Sequence, residues 1–489
     1  MKRITKYILL FIFPLAVLSC FSCASGNKGK ELSSPPALPK SGVIHEKIIC
    51  YKNPDLSYAL YLPTSLHPDT KKNSAGNSPD ASVEKNHAPV SAECYPVILA
   101  FDSHGSGLTP VKMYQELAEK YGFIILGSND SHNGLNNDQI AAILSGMFEE
   151  INTRFPVDTN QEYVMGFSGG ARIACLAAMM YPRVKSVIGC GAGFPQGNQP
   201  PLYKFDYFGI VGAADFNLNE MMELDGMLGI MKLRHYILTF PGPHTWPPAA
   251  VMEDGFRWNI LNAMKDNRIK KDDRQIDLFL GALQMRIDSL KNRNRLIEAS
   301  AICNLAVQSA DGLRNTTPFR KKSELIAQNP VYKKQVSYHD EILKKEKNEQ
   351  QELMEALFSK DISWWKERIK KLTMTNPKMN PEDTLMNARL GAFLSLLCYS
   401  NVNAAMNQRN AEMAEKLVGI YQLADPKNPE PYYLKAVILM QRNDTVQAMK
   451  KLEEAVSKGF SDKNRLLGQP EFEGIKNETA FFDLMKKIK

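Results

Sequence analysis

Apolar and polar positions follow different periods in the two parts of this 489-residue chain. Up to about residue 262, apolar runs of strand length alternate with amphipathic stretches of helix length, as in Pro96–Phe101 followed by Val111–Tyr121. This alternation predicts an α/β domain over 43–262 with a doubly wound, mainly parallel sheet. The polar, aperiodic segment 64–93 is predicted to be an irregular insertion in it.

The predicted strands are His45–Tyr51, Ser57–Leu62, Pro96–Phe101, Phe123–Gly127, Tyr163–Met165, Ser186–Cys190, Tyr207–Val211 and His235–Phe240. The first two strands flank an Asn-Pro-Asp turn, which predicts a hairpin. The predicted helices between the strands are Val111–Tyr121, Asp138–Phe155, Ala171–Met180 and Leu218–Leu233.

From 263 to 489 the strand pattern disappears, and long amphipathic helical patterns predict an all-α domain. Near its end the pattern of Ala414–Tyr421 recurs 34 residues later as Ala448–Ala455, with the Pro-bearing segment Asp425–Pro431 between them. A 34-residue period with small residues at helix contacts resembles tetratricopeptide repeats, which we expect near 380–489. A repeat domain of this kind is a possible site for a protein partner.

The first 19 residues have the pattern of an export signal. Basic residues at 2, 3 and 6 precede the apolar run Tyr7–Leu18, which is shorter than the ~20 residues of a spanning helix. A cysteine directly after this segment resembles the lipobox of bacterial lipoproteins, with Cys20 as the lipidated residue and Cys23 as a second candidate. An ordinary secretory signal is the alternative. The expectation is a membrane-anchored protein of the bacterial cell envelope, with 20–42 as a tether.

Charge and cysteine usage exclude some functions. Residues 20–262 hold 18 Lys and Arg against 23 Asp and Glu, whereas 263–489 hold 39 against 30. Lys and Glu are interleaved in the basic part, as on a solvated helix face, so nucleic-acid binding is not expected. The cysteines form no CxxC or Cys/His cluster, so no metal site is expected. Cys50 and Cys94 flank the early strands and are a candidate disulfide pair.

The candidate chemistry centres on Gly166–Gly170, the sequence Gly-Phe-Ser-Gly-Gly. It follows an apolar strand and opens a predicted helix, which is the context of a nucleophile elbow. The small residues at both ends allow a sharp turn that presents Ser168 at the edge of the sheet. A tight turn that serves packing alone is the alternative interpretation.

A serine nucleophile needs a base and an acid that orients the base. Asp215 follows the apolar strand ending at Val211, and His244 lies in a Gly- and Pro-rich loop after the last strand. The chain order serine, acid, histidine is that of α/β-hydrolases. Asp215 could instead cap the next helix, and His244 could simply pack on Trp246. The weaker rivals are Asp206, Asp225, His104, His132 and His235.

An acyl-transfer site also needs amide donors for the oxyanion. The backbone N–H of Gly169, directly after the serine, is one candidate. The second is expected from the His-Gly-Ser-Gly loop after Pro96–Phe101, with Ser103 and Ser106 as candidates and His104 as a residue that orders the loop.

Together these residues resemble the α/β-hydrolase superfamily over about 45–262, especially esterases of the polyhydroxybutyrate-depolymerase, dienelactone-hydrolase and carboxylesterase types. The resemblance implies ester hydrolysis through an acyl-enzyme formed on Ser168, with His244 and Asp215 as the other catalytic residues and without a cofactor. The substrate would be a small-molecule or carbohydrate ester. Phe167 and the segment after Asp215 depart from the family pattern. A non-catalytic scaffold acting through the repeats and a serine peptidase are the alternatives.

Overall fold

The computed structural model describes residues 35–66, 94–195, 201, 203–374 and 378–488. The expected signal 1–19, Cys20, Cys23, most of the tether and most of the insertion 64–93 lie outside the described residues.

An eight-stranded sheet organises the first part of the chain. Its strands are β1 Ile44–Ile49, β2 Ser57–Tyr61, β3 Tyr95–Phe101, β4 Ile124–Ser128, β5 Val157–Phe167, β6 Val184–Cys190, β7 Asp206–Ala214 and β8 His235–Pro243. Their order is β1-β2-β4-β3-β5-β6-β7-β8. β2 is antiparallel to β1 and β4, whereas the neighbouring pairs from β4 through β3, β5 and β6 to β7 are parallel.

The mainly parallel sheet predicted from the sequence is therefore confirmed, and each predicted strand is present with shifted ends. The β1–β2 hairpin is also confirmed, with Cys50 N–H donating to Leu56 O across the turn at 2.9 Å. The central strands are buried along most of their length because helices cover a parallel sheet on both faces. The strand order, with its single antiparallel strand β2 between β1 and the parallel strands, is that of an open α/β sheet.

Among the described residues, five helices accompany the sheet: α1 Leu108–Tyr121, α2 Asn137–Arg154, α3 Gly169–Met180, α4 Leu218–Ile230 and α5 Ala249–Lys265. α2 begins with a capping box, in which the Asn136 side chain accepts from Gln139 N–H and the Gln139 side chain accepts from Asn136 N–H. The first four helices agree with the predicted ones. α5 was not predicted, and it continues through the expected domain boundary at 262.

The rest of the described chain is helical, as predicted. Its helices are α6 Asp273–Asn292, α7 Leu296–Ala310, α8 Thr317–Gln328, α9 Pro330–Ser359, α10 Ile362–Thr373, α11 Pro381–Asn407, α12 Ala411–Ala424, α13 Glu430–Gln441, α14 Thr445–Ser457, α15 Lys463–Gly468 and α16 Thr479–Lys487, with a 3₁₀ helix at Pro470–Ile475. Buried side chains from Ile342 to Ile488 form one apolar core. Ala414 and Ala448, which are 34 residues apart, are both buried in it; the tetratricopeptide-like character stays a prediction.

The chain divides into two compact units. The first comprises Met1–Ile210, Leu224–Ile237 and Pro248–Lys271; the second comprises Val211–Glu223, Leu238–Pro247 and Asp272–Lys489. The carboxyl ends of β7 and β8 thus belong to the same unit as helices α6–α16. A division of the chain at 262 alone does not reproduce these units.

Cys50 and Cys94 are not bridged, so the candidate disulfide is absent: Cys50 is buried beside the hairpin turn and Cys94 is exposed. Within the described ranges, no helix combines the length and apolar character that a membrane crossing requires.

Candidate active site

Ser168 occupies a strained turn between β5 and α3. Its backbone has φ 54° and ψ −120°, a conformation that residues with a side chain rarely adopt. The Ser168 N–H donates to Cys190 O at the end of β6 at 2.8 Å, and its own carbonyl accepts from Ala171 N–H at 3.0 Å. Strain of this kind persists only where the surroundings enforce it, and it is typical of functional residues.

The glycines on either side of Ser168 are required by close backbone contacts. A Cβ on Gly166 would lie 2.1 Å from Gly170 O, and a Cβ on Gly170 would lie 2.0 Å from Phe101 O at the end of β3. Since both obstacles are backbone atoms, no side-chain rotation could relieve them. The elbow pattern is thus explained by the close approach of β5, α3 and β3.

Gly169 lies beside the loop that follows β3. A Cβ at this position would lie 3.6 Å from Ser103 Cβ and 1.9 Å from Asn133 Oδ1. Asn133 N–H in turn donates to Ser103 O at 2.9 Å. Two of the predicted oxyanion residues, Gly169 and Ser103, are therefore neighbours, together with Asn133, which the sequence analysis missed.

Asn133 could have been noticed from the polar run Asn129–Gly134, which follows the apolar strand β4. Polar residues at the carboxyl ends of parallel strands commonly line the ligand site of an open α/β sheet. Ser106 is placed differently: its hydroxyl bonds that of Thr109 at 2.8 Å and its carbonyl accepts from Thr109 N–H, at the start of α1.

His104 interacts with its own loop and with the loop that follows β4. Its backbone N–H donates to Asp102 Oδ1 at 2.8 Å, and its ring Nδ1 lies 3.5 Å from the same oxygen. The Asp102 carboxylate raises the pKa of the His104 imidazole. A β-bridge joins His104 to His132, whose Nδ1 bonds Asn133 O at 2.8 Å. In the described part of the chain, no cluster of His, Cys, Asp and Glu could hold a metal ion.

Asp215 and His244 form a close pair. His244 Nδ1 lies 2.9 Å from both carboxylate oxygens of Asp215, which is 1% exposed. Because a carboxylate only accepts, Nδ1 carries the proton and donates it. The Asp215 carboxylate is fixed further by the N–H of Asn217 at 2.8 Å, and the imidazole packs on the Phe216 ring at a centroid distance of 4.3 Å.

The rival acids and bases are engaged elsewhere. Asp206 lies at the start of β7, where its Oδ1 accepts from Arg234 Nε at 2.7 Å. Asp225 lies 3.3 Å from His235 Nε2 and raises the pKa of that imidazole. The opposite nitrogen of His235 bonds Leu233 O at 2.7 Å. Of the acids and histidines considered from the sequence, Asp215 and His244 form the pair in which a buried carboxylate holds the histidine at Nδ1, as in a catalytic pair.

The predicted site residues thus fall into two groups. Ser168, Gly169 and Ser103 lie in the first compact unit, and Asp215 and His244 lie in the second. Their joining into one triad stays a prediction.

No protein-family model and no curated protein matches this sequence. Solved structures that resemble this chain include the fluorophosphonate-binding serine hydrolase FphF of Staphylococcus aureus, with 12% identity and a TM-score of 0.32. The match covers 42% of this chain and 92% of that chain. The S-formylglutathione hydrolase FrmB of the same organism has 12% identity and a TM-score of 0.34, and the match covers 46% of this chain and 99% of that chain. The Bacillus cereus carboxylesterase has 16% identity and a TM-score of 0.28, and the match covers 34% of this chain and 88% of that chain.

Proposed function

We propose that this chain is a serine hydrolase of the α/β-hydrolase type that cleaves carboxylic esters, with Ser168, His244 and Asp215 as its catalytic triad. The observation that carries the proposal is the contact of His244 Nδ1 with both oxygens of the buried Asp215 carboxylate. A histidine held in one tautomer by a buried carboxylate is prepared to act as a base through its other nitrogen.

The position of Ser168 supports the same function. The chain enters the strained Ser168 turn from β5 and reaches Asp215 from β7, and both strands pair in parallel with β6. The carboxyl ends of parallel strands meet at one edge of a sheet, where α/β folds bind their ligands.

In the proposed reaction, His244 Nε2 takes the proton of the Ser168 hydroxyl as Oγ attacks the ester carbonyl carbon. The carbonyl π electrons move to oxygen, and the N–H of Gly169 with an amide of the Ser103–Ser106 loop stabilises that charge. Collapse expels the alcohol, which receives the proton from His244. Water then attacks the acyl-enzyme by the same steps, releasing the acid. No cofactor takes part.

The rest of the proposal concerns location and partners. The mature chain would be exported and anchored in the bacterial cell envelope by lipid on Cys20. Its substrate would be a small-molecule or carbohydrate ester. Helices α6–α16 would shape access to the substrate or dock a protein partner.

The test is labelling of the mature full-length protein with a fluorophosphonate, read by mass spectrometry of the Ser168 peptide. We expect labelling that is lost in Ser168→Ala and His244→Ala and retained in His235→Ala, the control for a histidine bound to another carboxylate. Heat-denatured protein controls for non-specific reaction. Absence of labelling in folded wild-type protein would overturn the proposal.

A second prediction concerns the acid. Asp215→Asn should lower kcat for p-nitrophenyl acetate by about 10²–10⁴-fold, because an amide no longer enforces the required tautomer of His244. Asp225→Asn, which changes the exposed carboxylate beside His235, should leave kcat unchanged. Equal rates in the two variants would show that Asp215 is not the triad acid.

A further inference from the structure

Arg389, in the N-terminal half of α11, is 1% exposed, and its guanidinium joins two distant parts of the chain. Nε and Nη2 donate to the Glu346 Oε2 of α9 at 2.8 and 2.6 Å. Nη1 donates to the backbone carbonyl of Ala213 at 2.6 Å. Ala213 lies 176 residues earlier in the chain and is the penultimate residue of β7.

The Ala213 carbonyl belongs to the turn that presents Asp215. Gly212 O accepts from Asp215 N–H at 3.0 Å, so Ala213 lies inside this turn. A Cβ on Gly212 would lie 2.3 Å from Gly242 O and 2.5 Å from Pro243 O, the residues directly before His244. Arg389 therefore holds the segment from which Asp215 projects, and that segment is packed directly against the strand end that leads to His244.

The Arg389–Glu346 pair is poorly explained as a device for stability. Glu346 is 0% exposed, and its Oε1 has no hydrogen-bond partner among the described residues. Burial raises the pKa of its carboxyl, against the opposing effect of Arg389. Removing two charges from water is costly, and apolar replacements of buried pairs are often as stable as the original. The planar guanidinium of Arg389 supplies a fixed N–H donor for the Ala213 carbonyl, which an apolar side chain cannot supply.

We propose that Arg389, oriented by Glu346, is a positioning residue for the Asp215–His244 pair, so that α9 and α11 form part of the active-site scaffold. This inference rests on the proposed hydrolase function. It gives the helical part of the chain a role in catalysis itself, through the backbone of β7, in addition to any role in partner binding.

The test compares Arg389→Met, Arg389→Lys and Glu346→Gln in the full-length mature protein. We expect Arg389→Met to lower kcat for p-nitrophenyl acetate by about 10- to 100-fold with KM within about twofold, because small displacements of catalytic groups cost rate more than binding. Arg389→Lys should be intermediate, since one ammonium cannot reproduce the fork that reaches both Glu346 and Ala213. Arg389→Met should also lower the melting temperature, because it leaves Glu346 buried without its partner, so kcat is compared at a temperature at which every variant is fully folded.

Lys347→Ala is the matched control. Lys347 follows Glu346 on α9 and pairs with Glu223 of α4 at 2.6 Å, but both side chains of this pair are exposed. Its replacement should leave kcat unchanged. The double variant Glu346→Gln/Arg389→Met should be no slower than Arg389→Met alone, because Glu346 acts through Arg389.

Two failures can be told apart. If wild-type protein is not labelled at Ser168 by a fluorophosphonate, the hydrolase function and this inference both fail. If wild type is labelled and Arg389→Met and Glu346→Gln keep wild-type kcat, only the positioning role fails. A loss of kcat that is only proportional to the unfolded fraction of each variant also overturns the positioning role. Should Arg389→Met not fold, Arg389→Lys and Glu346→Gln decide by the same criteria.

Discussion

Ser168 has a backbone conformation that is unfavourable for a residue with a side chain, and the glycines on either side of it lie in close contact with backbone atoms. The small residues at 166 and 170 are fixed by backbone atoms, and these contacts arise only when β3, β5 and α3 come together. At this scale the sequence predicted a tight turn between a strand and a helix, and the structure has that turn between β5 and α3. The contacts that require its glycines form only in the tertiary structure.

Gly170→Ala should therefore lower the free energy of unfolding by about 3 kcal/mol, at the upper end of overpacking effects, because its Cβ would meet Phe101 O at 2.0 Å. The control is Gly226→Ala in α4, where nothing lies within 4 Å of the new Cβ. That change should stabilise the protein by about 0.5–1 kcal/mol through helix propensity. Urea denaturation measures both, and an equal effect at the two glycines would contradict the assigned contacts.

Individual helices are tied together by charged groups that the sequence pattern does not reveal. Glu253 of α5 accepts from Lys120 Nζ and Tyr121 Oη at the end of α1, both at 2.7 Å, and from Arg257 Nη2 at 2.8 Å. Burial alone would raise the pKa of Glu253, but these donors together lower it from its usual 4.5 to about 2.

Since this pKa is lower in the folded state, the stabilisation is fully present above pH 4.5 and is lost as the pH falls toward 2. Glu253→Gln should thus reduce the free energy of unfolding at pH 7 by about 1–2 kcal/mol. The difference from wild type should shrink steadily between pH 4.5 and pH 2.

Glu149→Gln, which removes an exposed pair with Lys52, is the matched control and should lower the free energy of unfolding at pH 7 much less than Glu253→Gln does. Thermal unfolding of the three proteins over this pH range gives the comparison. A difference for Glu253→Gln that does not change with pH would contradict the ionic origin of the effect.

In the helical part, Tyr433 of α13 anchors the packing of the last helices. Its ring stacks on Phe460 with centroids 4.7 Å apart and an angle of 9°, and the Arg465 guanidinium lies 4.3 Å from the ring centre. Its hydroxyl donates to Gln469 Oε1 at 2.8 Å.

Tyr433→Ala should cost about 3–5 kcal/mol of stability, as for other buried aromatic residues, and Tyr433→Phe only about 1 kcal/mol. The neighbouring Tyr432, whose half-buried ring lies 4.6 Å from Lys458 Nζ, serves as control and should cost less than about 1 kcal/mol as Tyr432→Ala. Similar losses at 432 and 433 in denaturant titrations would be inconsistent with this packing.

At the scale of the whole molecule, the chain passes between its two compact units five times. Three of these passages fall inside β7, α4 and β8. A strand or helix divided in this way cannot lose one half without weakening the other, because its backbone hydrogen bonds form cooperatively.

We therefore expect both units to unfold in a single transition. Pulsed alkylation should label Cys190 of β6 in the first unit and Cys398 of α11 in the second at the same denaturant midpoint. Burial protects both thiols and raises the pKa of each, that of Cys398 to about 12. Exposed Cys94 should react without denaturant and calibrate the pulse. Labelling of Cys398 at clearly lower denaturant would show that the helices unfold on their own.

The sequence by itself determined the class of the sheet and the helical character of the second part, and it indicated candidate residues for the proposed triad. It could do so because strand and helix periods and the Gly-x-Ser-x-Gly turn are local properties of the chain. Helix α5, by contrast, was not predicted, since it follows the proline-rich loop after His244 without a distinctive boundary signal.

Only the tertiary structure decided which acid meets His244, that Asn133 lies beside Gly169, and that Arg389 reaches the Ala213 carbonyl. Each of these contacts joins residues that lie between 29 and 176 positions apart in the chain. No local period encodes such distances, because they depend on which strands pair and how helices pack against the strand ends. The sequence thus identifies the chemical groups of the candidate site, whereas the contacts between these groups depend on the tertiary structure.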